Sequence, residues 1–264
     1  MKTDTKNDPI KADLCPAQAH QSLNSADTFP TTSKELRIHC HELPKHMIVA
    51  IDGWAQTGKN TSGELVAEAI DGVLVDSGRF YRAITQACLN AAVDLNNPAA
   101  VIKFCRETNI EVRMGRDGGK VDEALVRVNG KWFGKADLQR VGAETPKVAR
   151  LPEVREKVNA TLRLCAGRGR VVMLGRDMGG VVFPETPFKY FFDASEEIRE
   201  QRHLCSTQTQ GAVKRDRQDQ KQTTLVADAL LIDTGKLTPE EVRAVILRSL
   251  LCRAANRNGV QHTV

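Results

Sequence analysis

The chain predicts an α/β fold, a parallel sheet with helices on both faces that carries a small β-hairpin insert lobe and a short lid. Three observations predict it. The apolar run Met47-Ile48-Val49-Ala50-Ile51 passes through a glycine-bounded loop into the helix-like Leu65-Val66-Ala67-Glu68-Ala69-Ile70. Short apolar runs and helical periods then alternate along the chain, the pattern of a parallel sheet buried on both sides. Beyond Ile110 the texture changes to apolar–polar alternation around turn dipeptides, which marks an antiparallel hairpin.

The loop between the first strand and the first helix reads Gly53, Trp54, Ala55, Gln56, Thr57, Gly58, Lys59, Asn60, Thr61. Glycines at both bounds let the backbone turn tightly and point its N–H groups inward, and the helix start adds positive dipole potential. Lys59 is then in reach of the outer phosphates of a nucleoside triphosphate. Strand, phosphate loop and helix in this order make the fold P-loop NTPase-type. The usual pattern has Ser or Thr directly after the lysine. Here Asn60 stands there and Thr61 follows, so the metal-binding hydroxyl is expected from Thr61.

The remaining elements follow in order. Val73-Leu74-Val75 reads as a second buried strand, ending in Asp76-Ser77-Gly78. Helices are expected from about Phe80 to Ala92 and from Ala99 to Arg106. Glu111-Val112-Arg113-Met114, Gly118-Gly119, Leu125-Val126-Arg127-Val128 and Asn129-Gly130 form the inserted lobe, about 110–150. Helical spacing resumes at Val154, Val158, Leu162 and Cys165, with Gly167 placed to cap the end. Val171-Val172-Met173-Leu174 and Phe188-Lys189-Tyr190-Phe191-Phe192 are strands, and Ser195 with Glu196 and Glu197 starts a helix. A polar lid spans about 205–224, and Leu230-Leu231-Ile232 is the last strand. Thr238-Pro239-Glu240-Glu241 is a capping box that opens a terminal helix to about Cys252. Residues 1–45 read as a flexible extension, 46–254 as the catalytic domain and 255–264 as a flexible tail.

Composition bounds the function. The chain has 264 residues, 41% hydrophobic and 27% charged, enough for one folded α/β enzyme with an ample core. A net charge of +5 is too modest to argue for nucleic acid and suits polyanionic small molecules. Seven scattered cysteines without a C-x-x-C pair point to reduced thiols and a cytoplasmic location. His39-Cys40-His41 with His46 matches no standard zinc spacing. No stretch reads as a membrane span, no secretory signal is evident, and a monomer is the expectation.

Ligands of open parallel sheets bind beyond the carboxyl ends of the strands. Three segments expected there carry arginine beside aspartate. They are Asp76-Ser77-Gly78-Arg79-Phe80-Tyr81-Arg82, Gly175-Arg176-Asp177-Met178-Gly179 and Arg215-Asp216-Arg217-Gln218-Asp219. One such pair is ordinarily a surface ion pair; three converging on a crevice beside a phosphate loop indicate a polyanion site.

From Met47 to Leu250 the chain resembles the bacterial cytidylate (CMP/dCMP) kinase family. The likeness rests on Ile51-Asp52-Gly53, Lys59, Asp76-Ser77-Gly78 with Tyr81-Arg82, and Val126-Arg127-Val128-Asn129-Gly130. It continues through Leu151-Pro152-Glu153-Val154-Arg155-Glu156, Gly175-Arg176-Asp177-Met178-Gly179, Val181-Val182-Phe183-Pro184, Ala227-Asp228-Ala229-Leu230 and Ile232-Asp233-Thr234.

The resemblance implies transfer of phosphate from ATP to CMP or dCMP with Mg2+. It implies that Lys59, Arg176, Arg202 and Arg215 are catalytic and that the loop from Gly53 to Thr61 binds ATP. Ser77, Arg82, Arg155, Arg176, Asp177, Arg215 and Asp219 would bind the acceptor, Arg155 and Asp177 by reading the cytosine edge. Thr61, and Asp52 through water, would meet the metal. The chain departs from the family at Trp54 and Gln56 in the loop, at Pro146 and Leu174, and at Gln222 in the lid, where Lys221 is the nearest cation. The lid is also about ten residues shorter. A non-catalytic nucleotide-binding relative and a kinase for another small acceptor are the alternative readings of the same residues.

Overall fold

The structure is a computed structural model and describes residues 42–114, 124–134, 138, 140–204, 223 and 225–259. Residues 1–41 of the expected extension, with His39-Cys40-His41, the Gly118-Gly119 turn and the lid residues Arg215, Asp216, Arg217, Gln218, Asp219, Lys221 and Gln222 lie outside the described residues. The last part of that extension is held to the fold, because Leu43 is buried in the core and Arg170 donates to Leu43 O at 2.8 Å and to Pro44 O at 3.0 Å.

Five strands form one parallel sheet. β1 is Met47–Gly53, β2 Val73–Asp76, β6 Arg170–Leu174, β7 Lys189–Asp193 and β8 Leu230–Asp233, in the order β2-β6-β1-β7-β8. Successive side chains of a strand face opposite sides, and here both sides are apolar. Val49, Ile51, Leu74, Val172 and Leu174 enter one buried layer, with Val66 and Ala67 of α1 (Lys59–Ala69) and Val242, Ile246 and Leu250 of the last helix. Ala50, Val75, Val171 and Met173 enter the other. That layer also receives Phe80 and Ile84 of α2 (Ser77–Asn90), Val101 of α3 (Pro98–Glu107), Val148 of α4 (Thr145–Ala149) and Val154, Val158 and Leu162 of α5 (Pro152–Arg163).

Local chemistry sets the helix ends. The Asp76 carboxylate accepts from Gly78 N at 2.9 Å and caps α2, so this helix starts at Ser77 rather than near Phe80. Asn97 caps α3 through Ala100 N at 3.2 Å, with Pro98 in the first turn. α6 is Glu196–Leu204, and Ser195 Oγ accepts from Ile198 N at 3.4 Å. α7 is Pro239–Gly259 and opens on a reciprocal capping box, Thr238 N to Glu241 Oε2 at 2.7 Å and Glu241 N to Thr238 Oγ1 at 3.3 Å. It runs past Cys252, where the sequence reading ended it, because Ala254 is buried in the same layer as Leu250 and extends its apolar face.

The insert is a three-stranded antiparallel sheet, β3 Ile110–Arg113, β4 Leu125–Val128 and β5 Lys131–Phe133. Asn129 and Gly130 take φ of 48° and 80°, the paired positive values that a two-residue hairpin turn demands. Val126, Val128 and Phe133 face the core, and Arg127 and Trp132 face outward with the guanidinium 5.6 Å from the ring centre. Ala124 N donates to Leu74 O of β2 at 3.0 Å and joins the insert to the main sheet.

Candidate active site

The carboxyl ends of β1, β2 and β6 bring the predicted residues together. Gly53 ends β1 opposite Phe192 of β7 with φ 143°, and a Cβ there would lie 2.2 Å from the Phe192 carbonyl oxygen. Only glycine lets the chain leave the sheet at this point. The loop then returns to the left-handed Gly58 that starts α1. Gln56 is also left-handed, φ 60°, in a region that suits glycine better than glutamine. Trp54 packs edge-on against Phe191 with ring centres 6.3 Å apart, and the buried Thr57 donates to Trp54 O at 2.9 Å.

Cations surround this loop. Lys59 Nζ donates to Gly53 O at 2.8 Å and also to Trp54 O. Arg176, just past β6, donates to the same Gly53 carbonyl at 3.1 Å. Arg202 of α6 donates to Gln56 O at 3.3 Å and to Thr234 O at 2.7 Å. Lys59, Arg176 and Arg202, far apart in sequence, thus meet on the carbonyls of one turn. Arg215 lies outside the described residues.

A second set of charges stands beside the first. Arg155 of α5 pairs with the Asp177 carboxylate, and its guanidinium lies 5.7 Å from the Tyr81 ring centre. The side chains are 16% and 10% exposed, so neither charge can rely on water if the other is removed. Breaking such a pair costs about 3–5 kcal/mol, whereas the outer insert pair Arg127–Glu111 belongs to the class worth about 1 kcal/mol or less. Arg82, one turn into α2, pairs with Asp76 at 2.8 Å. Burial alone would raise Asp76; the charges of Arg82 and then Arg79, with the Gly78 N–H, outweigh it and hold the carboxyl below its ordinary value. Ser77 is buried at the same strand end, and a Cβ on Gly175 would lie 2.9 Å from its Oγ. Asp219 lies outside the described residues.

Asp52 was missed as an organising residue. Its Oδ1 accepts from Met178 N and its Oδ2 from Gly179 N, both at 2.8 Å. Burial pushes its carboxyl up to about 6 and the Asp177 charge adds to the rise, while the two N–H bonds and Lys59 oppose it. Each carboxylate oxygen therefore answers to one peptide N–H group of the segment after β6. The signal available was the carboxylate itself, an aspartate at the end of an otherwise apolar strand. Leu174 is buried, and its methyls fill the space above Gly63, where a Cβ would lie 2.9 Å from Leu174 Cδ2. Pro146 opens α4, and Thr61 is exposed in the first turn of α1.

Among the described residues no His, Cys, Asp or Glu cluster is arranged to hold a metal by itself. The exposed Thr61 hydroxyl in the first turn of α1 would fit a cation whose other ligands are phosphates and water. No helix among the described residues is long and apolar enough to cross a membrane. Cys88, Cys105 and Cys165 are buried free thiols, and Cys252 is an exposed one.

The chain is similar to known proteins over most of its length. The family model for cytidylate kinase matches residues 49–251. A cytidylate kinase from Herpetosiphon aurantiacus is 36% identical over 216 residues, which cover 75% of this chain and 92% of the relative. One from Geobacillus thermodenitrificans is 35% identical over 223 residues, 78% and 96% of the two chains. A third, from Roseiflexus castenholzii, is 33% identical over 221 residues, 78% and 94%. With the matched span enclosing the phosphate loop, the Arg82–Asp76 and Arg155–Asp177 pairs and Arg202, the chain belongs to the cytidylate kinase family.

Proposed function

We propose that the protein is a nucleoside monophosphate kinase that moves the γ-phosphoryl group of ATP onto CMP or dCMP, giving ADP and the nucleoside diphosphate. The observation that carries this reading is the meeting of Lys59, Arg176 and Arg202 on the carbonyls of one glycine-bounded turn. Cations crowded onto neutral carbonyls are matched to a polyanion, because charge-assisted bonds to phosphate are about twice as strong as those to neutral acceptors.

In this reading the loop from Gly53 to Thr61 binds the ATP phosphates. Lys59, Arg176, Arg202 and Arg215 neutralise the charge that builds up as an oxygen of the acceptor phosphate bonds to the γ-phosphorus and the bond to ADP breaks. Arg82 and Arg176 grip the acceptor phosphate, and guanidinium forks suit it better than an ammonium does. Arg155 donates to the cytosine carbonyl and Asp177 accepts from its exocyclic amine, with Ser77 close to the base and Arg215 and Asp219 on the ribose and phosphates. Thr61 would help to hold a Mg2+ ion brought in on the triphosphate, which would supply further neutralisation of phosphate charge. No side chain is required as a strong base. The setting we assign is the cytoplasm, supported by the free thiols, and the working form a monomer.

The test is a coupled assay of the full chain with ATP, Mg2+ and a panel of nucleoside monophosphates. CMP and dCMP are expected to turn over and UMP to lag well behind. If ATP and CMP both bind in calorimetry and no phosphate moves even at high enzyme concentration, the kinase reading fails.

A further inference from the structure

After β6 the backbone makes one π-helical turn, Met178–Val182, in which Val182 N bonds to Asp177 O at 3.2 Å and Phe183 N to Met178 O at 2.7 Å. Such wide turns are rare and persist where their surroundings determine them. Here they are determined from two sides. At the leading end the Asp52 carboxylate takes the N–H groups of Met178 and Gly179. At the trailing end Arg163 donates through Nε to Val182 O at 3.1 Å and through Nη2 to Val181 O at 2.9 Å.

These two holds connect different parts of the site. Asp52 immediately precedes Gly53, whose carbonyl receives Lys59 and Arg176, so it fixes the turn to the phosphate loop. Arg163 lies about two helical turns beyond Arg155 on α5 and therefore on the same face. One helix thus meets Asp177 at the start of the π-turn and the carbonyls at its end. If either hold slackens, the residue free to rotate is Asp177, which caps the turn and whose φ of −147° and ψ of 24° belong to no regular element.

We propose that Asp52 and Arg163 are positioning residues for the acceptor base, which together hold the π-turn so that Asp177 presents its carboxylate beside Arg155. This rests on the proposed reading of Asp177 as the contact to the cytosine amine. Neither residue touches the reacting atoms. Both act through the backbone of the turn, and their loss is read in acceptor recognition before it is read in donor binding.

Arg163 is exposed, so Arg163→Ala leaves the core intact and is the first variant to measure. The KM for CMP is expected to rise about tenfold and the KM for ATP to stay within about twofold, since a small misplacement of a contact group acts on that contact alone. The preference for CMP over UMP should shrink in parallel, and Arg163→Lys should recover part of it because an ammonium can still reach one carbonyl. Asp52→Asn, with one acceptor where two are needed, should shift the same parameters and also lower kcat. An unchanged KM for CMP and unchanged CMP/UMP preference in Arg163→Ala, or equal rises for CMP and ATP, would overturn the proposal. Parent enzyme in the same assay separates the two ideas. A parent that transfers no phosphate sinks the kinase reading, and this inference with it; an active parent beside an unaffected Arg163→Ala sinks the positioning role alone.

Discussion

Lys59 donates at 2.8 Å to the carbonyl of Gly53, the first residue of its own loop, so the ammonium folds back across the turn that precedes it. A phosphate oxygen arriving in that turn offers a charged acceptor in place of a neutral one, and the lysine needs only to rotate outward.

Lys59→Ala should therefore abolish most phosphoryl transfer and leave the fold standing, because the side chain supports the loop and no apolar layer. Loss of a cation that meets transition-state charge is expected to lower kcat by about two orders of magnitude. Steady-state kinetics beside a thermal melt checks both halves. Near-normal turnover in the variant would mean that phosphate binds elsewhere.

Gln56 holds φ at 60°, a conformation that glycine adopts without strain. Gln56→Gly is expected to stabilise the protein by about 1 kcal/mol, the lower end of the strain at such positions. The midpoint of urea unfolding measures it at constant m-value. A lower midpoint would show that the side chain contributes more than its backbone costs.

Asp177→Ala should impair CMP use far more than ATP binding. Removing the carboxylate also takes from Arg155, which is only 16% exposed, its charged partner, so some loss of stability should accompany the change. In the parent, CMP should outcompete UMP by a wide margin, since a buried acceptor left without its amine disfavours the wrong base. Equal use of the two nucleotides would remove the role given to Asp177 and Arg155.

The Asp76–Arg82 pair predicts a pH dependence. Its carboxyl lies below the ordinary value in the folded protein, so the stability it contributes is present above that ordinary value and lost as pH falls through the lowered one. Arg82→Ala removes the foremost charge opposing burial, and burial then drives the carboxyl upward. Acid unfolding of the variant should begin at higher pH than that of the parent. Thermal melts across an acidic pH series check this; superimposable profiles would mean that Arg82 does not hold Asp76.

What the sequence disclosed and what it withheld divide along range. β1, β6 and β7 announce themselves because buried strands are apolar throughout, and Asn129-Gly130 and Thr238-Pro239-Glu240-Glu241 each carry their geometry within a few residues. The π-turn is different. Its shape depends on a carboxylate 126 residues earlier in the chain, and nothing in Met178-Gly179-Gly180-Val181-Val182 specifies it locally. The order β2-β6-β1-β7-β8 is likewise a matter of non-local pairing. α4 is five residues long and β5 three, too short to show a period. Lys59 could be singled out from its loop, and Arg82, Arg155, Arg176, Asp177 and Arg202 one by one through the family resemblance. That three of their cations share the carbonyls of a single turn needed the third dimension.

The bond from Ala124 N to the carbonyl of Leu74 falls on the outermost strand of the parallel sheet. An outer strand with free carbonyls and amides is a template on which a neighbouring molecule can add a strand of its own. In this protein the template is partly taken, because the insert sits against β2 and supplies an N–H to its backbone. The lobe thus acts as a guard against strand-by-strand aggregation. Trimming it back to shorten the protein would leave a sticky border on β2.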